Sequence, residues 1–168
     1  LLPTQSLELA VSPALELDSR RKSQLDALTE VDRLYMDGRY EAAATLGARL
    51  IAEGTVISDD LRLKIANGLA WSGRNAAAAE QYRLLLNGPF DNQARFALAN
   101  ALRWQDRSDL AQNMYRQVLA HDPASAGARD GLAHAERGLR PSTTFSLTHN
   151  GDNGGLRRNA GMVTHRWR

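Results

Sequence analysis

The 168-residue chain is 43% hydrophobic but only 6% aromatic, so its apolar share is mostly Ala and Leu, which suits helix–helix packing better than a β-rich core. It has no Cys, which excludes disulfides, thiolate metal sites and Cys nucleophiles. The formal charge of +2 is unevenly spread: residues 138–168 carry Arg140, Arg157, Arg158, Arg166 and Arg168 against Asp152 alone, residues 1–137 carry a small acidic excess, and neither part is basic enough to argue for nucleic acid.

The chain opens at Leu1 with no initiator Met or signal peptide, and reads as an excerpt from a longer protein with any targeting signal lost. No stretch approaches the roughly 18 apolar residues of a transmembrane helix. Residues 1–22 form an N-terminal segment. Within it Ser12-Pro13 is expected to cap and open a helix, and Leu15 and Leu17 to finish a preceding repeat.

From residue 23 to 139 the sequence repeats. Aligning 62–89 with 95–122, a shift of 33, gives ten identities in 28 positions, among them Asn67/Asn100, Trp71/Trp104, Ala78/Ala111 and Tyr82/Tyr115. Paired Asn, Trp and Tyr in one register are not an accident of Ala-rich composition. Each unit splits into two helical patterns. In the later copy Leu98, Ala99 and Leu102 recur at helical steps, the pattern breaks at Asp106-Arg107-Ser108, and a second apolar stripe runs from Leu110 to Leu119 before Asp122-Pro123 ends it. Breaks are predicted near Gly38, 54–58, Gly73, 88–91, Asp106 and 122–125, with 125–138 a terminal helix. A single helical pair cannot bury its stripe, so neighbouring pairs must stack.

This spacing resembles the tetratricopeptide repeat, a helix–turn–helix unit of about 34 residues. Leu98-Ala99-x-x-Leu102 and Ile65-Ala66-x-x-Leu69 match the pattern of its first helix, and Gly38 and Gly73 its turn glycine. Ala43, Ala78 and Ala111 match its close-packing small residue, and Tyr82 and Tyr115 the aromatic that follows. Asp106 departs from the turn glycine, and Gly47 stands where an aromatic is usual. The implied fold is all-α, a tetratricopeptide-type helical solenoid.

From residue 140 to 168 the pattern changes. Residues 143–149 alternate and are rich in β-branched and aromatic side chains, 150–155 are turn residues, and 160–167 read as a returning strand, a short C-terminal β-hairpin. Helical repeats leading into such a hairpin resemble the outer-membrane exopolysaccharide exporters of Gram-negative bacteria, in which periplasmic repeats precede a β-barrel. The resemblance implies a periplasmic and outer-membrane location, with the tail as the start of the barrel. It also implies a non-enzymatic scaffold that recruits a polymer-modifying protein or guides polysaccharide to the pore. The alternative is a soluble adaptor binding a peptide segment of a partner protein, with the tail a disordered appendage.

The candidate partner-binding residues are Asn67, Trp71, Asn100, Arg103 and Trp104. In the family resembled, the first helix of each unit lines the concave face, and Asn and Trp four apart share one helix face. An amide offers donor and acceptor together, and an indole offers a stacking face. The bland alternative is that the Trp residues pack between repeats and the Asn residues cap turns. No phosphate loop, dinucleotide turn or nucleophile elbow appears, so no enzyme and no cofactor is expected. His121, His134, His149 and His165 have no metal-ligand spacing on one helix face, although the last two are placed to meet across the hairpin. Asn150, Asp152 and Gly154 begin like a calcium loop but lack its later ligands, and so read as a hairpin turn.

Overall fold

The computed structural model describes residues 13–138, 142–151 and 157–166. The expectations that fell on 1–12, on Asp152 to Gly155 and on Trp167 lie outside them.

Among the described residues seven helices follow one another: α1 (Pro13–Met36), α2 (Tyr40–Ala52), α3 (Asp59–Trp71), α4 (Asn75–Leu84), α5 (Asp91–Trp104), α6 (Ser108–His121) and α7 (Ala126–Gly138). Each packs on the next. In addition α1 approaches α3, α3 approaches α5 and α5 approaches α7, whereas the backbones of α2, α4 and α6 stay further from one another. The odd-numbered helices therefore form the tighter row, and the stack curves towards them. This is a packed helical-repeat arrangement, consistent with a tetratricopeptide-like fold.

The turns inside the three pairs are one structure repeated. After α1, α3 and α5, one residue takes a positive φ: Gly38 at 75°, Gly73 at 77° and Asp106 at 64°. Its N–H donates three residues back, to Tyr35, Ala70 and Arg103, and the next residue's N–H donates to Leu34, Leu69 and Leu102, all at 2.9–3.0 Å. These are Schellman turns, which satisfy carbonyls that the helix end leaves unpaired. Asp106 thus occupies the glycine position with the same backbone, a conformation Asp tolerates better than most residues. Helices α2, α4 and α6 then start from Arg39, Arg74 and Arg107.

The core is one cluster running through the stack. Ala43, Ala78 and Ala111 are each fully buried, as the close-packing position requires, with Val31, Ile65, Leu69, Leu98, Leu102 and Tyr115 around them. Two glycines complete it by complementing a neighbour. A Cβ on Gly47 would run into Ile65, and one on Gly131 into the Tyr115 ring. Gly47, in place of the usual aromatic, is the space that Ile65 fills.

Helix α1 opens at Pro13, where the sequence places a helix start. It runs unbroken for 24 residues, so residues 13–22 continue into the first repeat without a break, and Leu15 and Leu17 lie exposed on the same helix. Its second half is tied to α3 by Lys64, which lies 2.6 Å from Asp32 and 2.8 Å from Asp60. The hydrogen bonds that the Lys64 ammonium donates to both carboxylates hold its pKa above the usual range.

Strands β1 (Ser142–Gly151) and β2 (Arg157–Arg166) pair antiparallel. In this register His149 stands opposite Asn159 and His165 opposite Thr143, so the two histidines do not meet across the ladder.

Candidate partner-binding groove

All five sequence-predicted residues, Asn67, Trp71, Asn100, Arg103 and Trp104, line one groove of about 510 Å³ along α3 and α5. The helical period brings them there. With Leu69 and Leu102 facing the core, residues two before and two after them rotate towards the edge of the inner row. Asn75, Gln93, Phe96 and Tyr82 complete the walls.

The two Asn side chains are not free groove residues. The Tyr82 hydroxyl donates to Asn67 Oδ1 at 2.8 Å and the Tyr115 hydroxyl to Asn100 Oδ1 at 2.7 Å. Asn67 Nδ2 also donates to the Tyr35 hydroxyl at 3.3 Å. Each amide therefore ties the first helix of its unit to the second, fifteen residues on. Burial pushes both phenols up, Tyr82 strongly; at Tyr115 the neighbouring Arg103 works against it. Both hydroxyls stay protonated and serve as fixed donors. Neither Asn caps a turn.

The two indoles remain open, Trp71 60% and Trp104 69% exposed. Trp71 is held by Tyr35, stacked at 6.0 Å, and by Tyr40, tilted at 4.2 Å between ring centroids. Trp104 has no aromatic neighbour among the described residues; the Arg103 guanidinium lies 4.8 Å from its ring centroid. Among the described residues Arg103 is the only charged one in the groove wall, and its Nε is buried without a hydrogen-bond partner.

The groove thus offers two aromatic faces, four primary amides and one positive charge. Tyr35, Tyr40 and Phe96 were missed by the sequence reading because they do not recur at the repeat spacing. Among the described residues, no three His, Asp or Glu side chains lie close enough to hold a metal ion. No helix among them is long and apolar enough to cross a membrane.

No protein-family model matches the sequence, and a search of curated proteins returns no match.

Proposed function

We propose that this chain is a non-enzymatic scaffold whose inner groove holds a segment of a partner. The observation that carries the reading is the convergence of Asn67, Trp71, Asn100, Arg103 and Trp104 on one groove of the inner row. Concave surfaces are where helical solenoids bind. Arg103 sets a guanidinium beside the open Trp104 ring, and such a group suits an incoming acceptor.

The setting we propose is the periplasm, with the repeats below the barrel of an outer-membrane exopolysaccharide exporter, recruiting a polymer-modifying protein or guiding polymer to the pore. Two features support it. Helical repeats are followed directly by strands, and each strand is ten residues long, within the roughly 9–11 that a tilted membrane strand needs. The second reading, a soluble adaptor, draws on the remaining N–H groups of Asn67 and Asn100, which suit the carbonyls of an extended peptide backbone.

One experiment tests both levels. A photo-crosslinking residue is placed at Gln93, an exposed position of the groove wall, in the full-length protein in its native host. A specific covalent partner should appear, and Arg103→Ala/Trp104→Ala should abolish it at an unchanged level of folded protein. Capture that survives this variant sinks the groove assignment. Fractionation of the same cells decides the setting: recovery outside the outer membrane, with polymer secretion normal in the variant, sinks the exporter reading and leaves the adaptor.

A further inference from the structure

A second cleft lies on the other side of Trp71, along α2. Its volume is about 840 Å³, and its walls include Arg39, Tyr40, Leu46, Arg49 and Trp71. That size is within the range of ligand sites.

The cleft exists because the repeat is broken there. At the α5–α4 junction, Gln105 reaches across and its Nε2 donates to the Asn75 carbonyl at 3.0 Å. The corresponding residues one unit earlier are Ser72 and Tyr40. The Ser72 hydroxyl is too short to cross, and it turns back to its own helix, donating to the Gly68 and Leu69 carbonyls. The space that Gln105 closes in the later unit stays open in the earlier one. Tyr40 and Trp71, in place against each other, form its aromatic wall.

The charge around it is mostly positive. Arg39 and Arg49 line the cleft, and Arg74 stands at its edge, donating to the Thr45 hydroxyl at 3.1 Å. Against them stand Glu41 in the wall and Glu53, which reaches Arg49 at 3.6 Å; both members of that pair are more than half exposed. A pair so exposed contributes little and yields readily to another carboxylate.

We propose that this cleft is a second docking site, for an acidic peptide segment of a partner protein carrying an aromatic or leucine anchor. The anchor packs against Tyr40, Leu46 and Trp71, and the flanking carboxylates meet Arg39 and Arg49. Arg presents a planar fork that suits bidentate contact with carboxylates. The site shares only Trp71 with the groove along α3 and α5, so the two readings stand or fall separately.

The test is selection of a random 12-residue displayed peptide library against the folded chain, followed by binding of the selected peptides to variants. Peptides are expected that combine Asp or Glu with an aromatic or leucine. They should bind Arg39→Glu/Arg49→Glu at least about tenfold more weakly, the effect of a single lost charge pair of moderate strength, and bind Trp104→Ala unchanged. Their affinity should fall as salt rises. The proposal is overturned if no selected peptide depends on the two arginines, or if those that do are basic or uncharged. Circular dichroism checks the fold of the charge-reversed variant. If it has lost helix, Arg39→Gln/Arg49→Gln is judged by the same criterion.

Discussion

The hydroxyl of Tyr115, on a fully buried side chain, donates to Oδ1 of Asn100 at 2.7 Å, and one unit earlier Tyr82 and Asn67 make the same bond at 2.8 Å. Two residue types that recur thirty-three positions apart are thus two ends of one interaction, repeated with the fold. Each bond joins the paired helices of a unit at their polar edge, where the apolar stripe ends and the groove begins.

The two ends of that bond are not equivalent. Asn100→Ala leaves a buried phenol without an acceptor and should cost about 1–3 kcal/mol, whereas Tyr115→Phe leaves an amide at the groove edge, within reach of water, and should cost about 0.5–1.5 kcal/mol. The double variant should cost less than the sum of the two. Urea denaturation measures all three, and strict additivity would mean that the bond contributes nothing.

The turn residues make a sharper case. Gly73 sits at φ 77° with open space where a Cβ would be, so a side chain there meets a backbone penalty and no clash. Gly73→Ala should lower stability by about 1 kcal/mol. Gly73→Asp should cost less, because Asp106 already holds that conformation in the next unit. If Ala and Asp reverse this order in chemical denaturation, the turns are not equivalent.

Gly131 tests packing between units. Ala is ordinarily the better residue inside a helix by about 0.5–1 kcal/mol. Here its Cβ would overlap the ring of Tyr115, and Gly131→Ala should instead destabilise by about 1–3 kcal/mol. Gly127→Ala, whose Cβ would stand 3.0 Å from the tip of the half-buried Phe96 ring, should be nearly neutral since that ring has room to move. Equal melting temperatures for the two variants would refute the close contact.

What the sequence made legible is what each unit does by itself. The helix breaks at Gly38, Gly73 and Asp106 follow from local backbone chemistry, and Ala43, Ala78 and Ala111 fall where a small residue has to be. The five groove residues share a face because helical spacing requires it. Relations between helices were not legible. Gly47 departs from the family pattern, and nothing in the register shows that Ile65 fills its space. The sequence offers Asn67 and Asn100 as groove contacts or turn caps, and not as phenol acceptors, because Tyr82 and Tyr115 lie fifteen residues away on another helix. The cleft beside Tyr40 depends on how far Ser72 reaches compared with Gln105, which a register cannot express.

The dual use of Asn67 and Asn100 allows their structural and binding roles to be separated. Alanine removes both the carbonyl that accepts from the phenol and the amide that faces a ligand, so Asn67→Ala/Asn100→Ala should lower stability and confuse the two. Aspartate keeps the acceptor and loses the donor; at position 67 the Tyr35 hydroxyl, which accepts from Asn67 Nδ2, then turns to donate instead. The fold already carries Asp32 at the corresponding position of the first unit, where it meets Lys64. Asn67→Asp/Asn100→Asp should therefore stay within about 1 kcal/mol of the parent, since a charged acceptor strengthens the phenol bond while partial burial opposes it. Crosslinking to the partner from Gln93 should nevertheless drop, because carbonyls of an extended ligand lose their donors and an acid on the ligand is repelled. Stable protein with undiminished crosslinking would assign the Asn pair to the fold alone, leaving Trp71, Arg103 and Trp104 as the groove's contact residues.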